Sequence, residues 1–195
     1  MMIAEAQRLF LRCFHVADLD AMMEIFGDAE VMRFGLGPQS RDWVQTWLRG
    51  CLEDYYCKWG FGLWAVVHKP DLRVIGFCGL TRFDNIDGQV EIEIGYRLAR
   101  AYWGRGLATE AATAVRNYAF GVLALPRLVA IIDPQNLVSI RVAEKIGLRH
   151  EKEVLFRTNL RHLYVIHPTD LRARPPMLQK GKGHAVGEEA ADERN

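Results

Sequence analysis

Glu93-Ile94-Gly95-Tyr96-Arg97-Leu98-Ala99-Arg100-Ala101-Tyr102-Trp103-Gly104-Arg105-Gly106-Leu107-Ala108-Thr109-Glu110-Ala111 lies near the middle of a chain of 195 residues. In this stretch a strand runs into a glycine loop, and the loop opens a helix. The helix is expected over residues 104 to 122, from a stripe of Ala108, Ala111, Ala112, Val115, Ala119 and Val122. Glycines in such a loop let the main chain approach a ligand closely. The first turn of the helix adds unsatisfied N–H groups and a partial positive charge. Together they suit a diphosphate without requiring a lysine.

Two other phosphate motifs fit less well. A Walker loop is excluded, because no Gly-Lys-Ser/Thr occurs. A dinucleotide fingerprint would use Gly104 and Gly106, with Asp133 ending the next strand. Thr109 then stands where a third glycine or alanine belongs, and the chain from Leu98 to Gly104 is too long for a tight first turn. A nicotinamide or flavin oxidoreductase is therefore disfavoured.

Upstream, Leu9 to Phe14 reads as a strand by its apolar density. Asp18 is the expected N-cap of a helix through Ala21, Met22, Ile25 and Phe26, and Ser40 of a second through Trp43, Val44, Trp47, Leu48 and Cys51. Three β segments follow, over residues 61–68, 73–83 and 89–98. The Asp87-Gly88 ending suits a hairpin, so an antiparallel meander is expected. Downstream come a β-branched strand at 127–132, a helix at 136–146 stopped by Gly147, and strands near 151–156 and 162–167. Strand, helix and strand in succession imply one crossover, so the fold class is α/β (α+β) with a mixed, mostly antiparallel sheet and helices on both faces.

Half of the residues are apolar, enough for one domain with a core. Residues 1–170 are assigned to it. Residues 171–195, with Arg174-Pro175-Pro176, Gly181-Lys182-Gly183 and an acidic end, read as a mobile tail. The 25 basic and 24 acidic residues balance, which gives no electrostatic case for nucleic acid. Neither a signal peptide nor a membrane span is expected, so a soluble cytoplasmic protein is. Cys13, Cys51, Cys57 and Cys78 lack metal-ligand spacing. They are expected to be reduced and mostly buried, and no metal is expected.

The glycine segment resembles the acetyl-CoA loop of the GNAT superfamily of N-acetyltransferases, whose pattern is Gln/Arg-x-x-Gly-x-Gly/Ala. Gly106 and Ala108 occupy its last two positions, and Trp103 replaces the leading Gln or Arg. The run Tyr-Trp-Gly-x-Gly-x-Ala-Thr-Glu-Ala is similar to the form found in the RimJ/RimL-like branch, the ribosomal-protein N-terminal acetyltransferases. Arg8 to Arg12, Asp28 to Phe34, Asn136 with Ser139, and Glu144-Lys145-Ile146-Gly147-Leu148 resemble further elements of that branch in the same order, over about residues 8 to 167.

The resemblance implies that acetyl-CoA is bound as co-substrate. The main chain of Arg97 and Leu98 would meet its pantetheine arm. Trp103, Gly104, Arg105, Gly106, Leu107, Ala108 and Thr109 would form the pyrophosphate loop. Asn136 and Ser139 would contact the cofactor arm. Asn136 also reads as a plain helix N-cap, Ser139 as a back-bonded helix residue, and Arg105 as a solvated charge. A primary amine would attack the thioester directly. A backbone N–H near Leu98 would serve the oxyanion, Ser139 would protonate the thiolate or hydrogen-bond it, and Glu93, preferred over Glu91 on the same strand face, would take the amine's proton through water. Both carboxylates also read as solvated or ion-paired groups. The absence of a strong base favours an α-amine, such as a protein N-terminus, because it titrates near ~8 rather than ~10.4. A small amine (amino acid, polyamine or aminoglycoside) is the alternative acceptor, and a non-catalytic acyl-CoA sensor the alternative class.

Overall fold

The computed structural model describes residues 1–172, so most of the expected tail lies outside the described residues. Eight strands share one sheet: β1 (Met2–Glu5), β2 (Leu9–Arg12), β3 (Leu63–His68), β4 (Arg73–Ile86), β5 (Gln89–Leu98), β6 (Leu128–Ile132), β7 (Arg149–Phe156) and β8 (Asn159–Ile166). Their spatial order is β1-β2-β3-β4-β5-β6-β8-β7, and only β5 and β6 are parallel. The β4–β5 hairpin closes because Asp87 and Gly88 both take positive φ, 51° and 80°, as a tight turn between twisted strands requires. β1 was not expected; it pairs with β2 and extends the sheet at its edge.

Helices α1 (Leu19–Phe26), α2 (Ala29–Met32) and α3 (Arg41–Gly50) cover one face. A π-helical turn, Cys51–Tyr55, joins α3 to α4 (Tyr56–Trp59). Met22, Ile25, Phe26, Met32, Val44 and Leu48 bury against Ala65 and Phe77 of the sheet. On the other face, α5 (Leu107–Gly121) and α6 (Leu137–Lys145) bury Leu107, Ala111, Ala112, Val115, Ala119, Val142 and Ala143 against Leu80, Ile94 and Leu98. α5 starts at Leu107, not at residue 104, because Gly104 and Gly106 are left-handed. Val122 caps its end and is 67% exposed, off the buried stripe. A last helix, α7 (Pro168–Arg172), crosses the boundary expected after residue 170, and Leu171 packs on the main core.

Ser40 Oγ accepts from Trp43 N–H at 3.3 Å, as an N-cap should. Asp18 precedes α1 but does not cap it. Its buried carboxylate instead accepts from both Nη atoms of Arg12, at 2.7 and 2.8 Å, and from His15 N–H at 2.7 Å. A forked charged donor outcompetes a neutral amide for a carboxylate. Cys51 and Cys78 are buried, Cys13 is half-buried and Cys57 is exposed. Burial pushes the Cys51 thiol up to about 12 and also raises Cys78, which unfits both as nucleophiles. Among the described residues no helix is long and apolar enough to cross a membrane.

Candidate active site

β5 and β6 meet at one register pair, Glu93 with Val129. Beyond it both strands run on, to Leu98 and Ile132, without pairing. The Ile131 N–H reaches instead to Glu93 Oε1, at 3.3 Å. A crevice therefore opens at the carboxyl ends of the two parallel strands, the place where open α/β sheets bind ligands. The N-termini of α5 and α6 flank it. Its closed end is pinned by Arg127, whose Nη2 lies 2.9 Å from Glu91 and 3.1 Å from Glu151. Glu91 is thus committed to a buried ion pair, which leaves Glu93 as the carboxylate at the crevice.

Main-chain direction settles which strand groups look into the opening. Ala99 N–H donates to Ile75 O on β4 at 2.8 Å. Directions alternate along a strand, so the main chain of Arg97 also faces β4 and that of Leu98 faces the crevice. Leu98 O is taken by the Trp103 indole N–H, at 2.7 Å. Of the two expected pantetheine contacts, only Leu98 N–H is left facing outward. The Arg97 side chain lies instead against Met32 and Gly35. Trp103 folds the loop back onto the strand end.

Gly104 and Gly106 have φ of 72° and 76°, a region that favours glycine. A Cβ on Gly104 would meet nothing within 4 Å, and one on Gly106 would meet only Arg8 Nη2, at 3.5 Å. No side chain caps the first N–H groups of α5, which belong to Leu107, Ala108 and Thr109. Room above the loop and unbonded donors below it fit a phosphate chain. Arg105 is exposed, with its guanidinium 5.3 Å from the Tyr102 ring. Sequence reasoning missed Arg8 as part of this loop. Its N–H donates to Glu110 Oε1 at 2.6 Å, its Nε to Glu110 Oε2 at 2.7 Å, and its Nη1 to Arg105 O at 2.9 Å. Such a partnership across 102 positions leaves no local signal in the sequence.

Asn136 Oδ1 accepts from Ser139 N–H at 3.2 Å, so it caps α6 and keeps its NH₂ group for a ligand. Ser139 is half-buried above Val142 and Ala143. Its carbonyl accepts from the Tyr96 hydroxyl at 3.2 Å, a strut from β5 to α6 that was not expected. Burial raises the Tyr96 phenol, so it stays protonated at neutral pH. Burial also pushes the Glu93 carboxyl up to about 7, against the Ile131 N–H and the charges of Arg97 and Arg157, which pull it down. Asp133 is held by Arg161 and by Gln135 N–H at 2.9 Å, and the single parallel strand pair leaves no dinucleotide fold.

The sequence pattern of the acetyltransferase (GNAT) domain matches residues 8–149. The chain belongs to the GNAT acetyltransferase family. The chain is thus an acetyl-CoA-dependent acyltransferase. The chain is similar to the YkkB protein of Bacillus subtilis strain 168, at 37% identity over 75% of this chain and 85% of that one. It is 32% identical to the spermidine N(1)-acetyltransferase of Escherichia coli K12, over 77% of each. The crystal structure of an acetyltransferase from Agrobacterium tumefaciens C58 superposes with a TM-score of 0.74, at 28% identity over 86% of this acetyltransferase and 94% of that one.

Proposed function

We propose that this acetyltransferase moves the acetyl group of acetyl-CoA to a low-pKa primary amine by direct attack, with an α-amine as the acceptor, in the manner of the RimJ/RimL-like branch. The observation that carries the proposal is the Glu93 carboxyl at the point where β5 and β6 part, beside the Ile131 N–H and pushed up to about 7 by burial. A general base works best when its pKa lies near the working pH. Accepting a proton from an α-amine near ~8 costs Glu93 about 1.4 kcal/mol, whereas a lysine near ~10.4 costs about 4–5 kcal/mol. The first is a small part of a barrier; the second is several powers of ten in rate.

Each residue then has a part. Backbone N–H groups from Arg105 to Thr109 hold the diphosphate, with Gly104 and Trp103 shaping the loop. Leu98 N–H steadies the carbonyl oxygen as it gains charge. The Asn136 NH₂ group meets the pantetheine arm. The ammonium gives one proton to Glu93, and the neutral nitrogen bonds to the acetyl carbon. As the carbon–sulfur bond breaks, the nitrogen's second proton passes to the leaving sulfur by way of the Ser139 hydroxyl, leaving the amide and the free thiol of CoA. The test is thiol release from acetyl-CoA with lysine-free peptides bearing a free α-amine, against N-terminally blocked peptides bearing lysine. Faster release with the first set supports the proposal, and faster release with the blocked lysine peptides overturns it.

A further inference from the structure

Arg97 is a charge without a matching partner. It stands on the α1–α3 face of β5, beside Phe77 of β4. One guanidinium nitrogen touches the sulfur of buried Met32, a weak acceptor. The group lies flat against Gly35, where a Cβ would come within 2.9 Å of Nη2 and 3.1 Å of Nη1. A side chain on Gly35 would therefore displace it. Among the described residues no carboxylate stands within 4.0 Å of Arg97, and the charge acting on it is that of Glu93. Neighbouring ions are already spent: Arg33 on Glu30, and Arg100 on Asp28 at 3.3 Å. The charge of a second cation, Arg157 in the β7–β8 turn, also acts on Glu93.

This half-buried guanidinium keeps donors that no side chain among the described residues takes up, beyond its contact with the Met32 sulfur. Its planar fork matches a carboxylate. We infer that the acceptor is a primary amine with a carboxylate close to its nitrogen, the ammonium meeting Glu93 and the carboxylate meeting Arg97. This rests on the acetyl-transfer proposal above and specifies its acceptor. A free amino acid supplies that pairing through its α-carboxylate. A peptide supplies it through an acidic first residue. A polycation of the spermidine kind offers Arg97 no carboxylate, and the guanidinium opposes its entry.

The experiment measures thiol release by the full chain with free aspartate and serine, their α-carboxamides, tripeptides beginning with aspartate or serine, and spermidine. Carboxylate-bearing amines should give the highest kcat/KM. Preference for the free acids over carboxamides identifies the α-carboxylate, and preference for aspartyl over seryl tripeptides identifies the side chain. Arg97→Gln should raise KM for the preferred amine by roughly ten- to a hundredfold more than for its uncharged analogue. Arg97→Lys should recover part of the loss, and acetyl-CoA affinity should hold in both. Best turnover with the carboxamides, or an equal KM rise for charged and uncharged amines in Arg97→Gln, overturns this inference alone, and best turnover with spermidine overturns the α-amine acceptor as well. No turnover with any amine, while acetyl-CoA still binds, overturns the acetyl-transfer proposal and this one with it.

Discussion

Glu93 shows how one residue can weigh on stability and activity in opposite directions. Its folded-state pKa, about 7, lies above the ordinary 4.5. Stability from this group is therefore fully present below about pH 4.5 and is lost as pH rises through about 7, by roughly 3 kcal/mol. Glu93→Gln keeps the shape and an acceptor for Ile131 N–H without the charge. It should melt near the wild type at pH 5 and several degrees above it at pH 8. Its kcat should fall by roughly 10²- to 10⁴-fold and lose the rise with pH through about 7 that the wild type shows. Thermal melts and kcat profiles across pH 5 to 8 check both halves, and an unchanged profile removes Glu93 from proton transfer. Ser139 and Asn136 should separate differently. Ser139→Ala should lower kcat ten- to a thousandfold, roughly what one donor to a developing charge contributes, with acetyl-CoA affinity kept. Asn136→Ala should weaken acetyl-CoA binding and cost about 1 kcal/mol of cap stability. If Ser139→Ala keeps full kcat, the donor to sulfur lies elsewhere, and Tyr96, which donates to the same turn, is the next residue to test.

At the scale of elements, the glycine loop was legible because its chemistry is local. Gly104 and Gly106 take conformations that few other residues accept, and the helix stripe begins right after them. The β4–β5 hairpin was legible for the same reason at Asp87 and Gly88. What holds the loop was not legible. Arg8 is one of 25 basic residues, and nothing near it in sequence names Glu110 or the Arg105 carbonyl as its partner. The Glu91–Arg127 pair, which takes Glu91 out of the chemistry, is equally remote in sequence. Asp18 misled because a cap and an ion pair use the same residue type, and Arg12 decides between them. The loop can be tested from both of its supports. Gly106→Ala puts a methyl at φ 76°, costing about 1 kcal/mol in fold stability and crowding the phosphate side. Arg8→Met leaves the glycines intact but releases the Arg105 carbonyl and Glu110. Both should weaken acetyl-CoA binding, by roughly tenfold or more in the alanine variant. Calorimetric titration with acetyl-CoA on folded protein measures this; unchanged affinity in Gly106→Ala would remove the loop from the cofactor site.

For the whole molecule, the decisive feature is that the sheet is joined across its middle by one parallel register pair. On one side stand β1 to β5 with α1 to α5; on the other, β6 to β8 with α6. Arg127 ties the closed end through Glu91 and Glu151, and Tyr96 ties the open end to α6. The gap between them exposes main-chain groups that a sheet would otherwise pair, and no sequence pattern marks a strand pair that stops pairing. A ligand that bonds Leu98 N–H, the α5 loop and Asn136 at once supplies those missing bonds and joins the two halves. Ligands that bind only the folded state stabilise it by mass action, about 2.7 kcal/mol at a hundredfold excess over Kd. For a domain of this size that is a rise in Tm of roughly 5–10 °C. Acetyl-CoA should give such a rise, and NADH and ATP should not. Amide exchange should slow together at Leu98, at Arg105 to Thr109 and at Ser139, because one ligand spans all three. Protection confined to the α5 loop would mean that only the phosphate end is held and that the crevice is not the cofactor path. Equal stabilisation by NADH would mean that the loop reads a diphosphate without reading the arm attached to it.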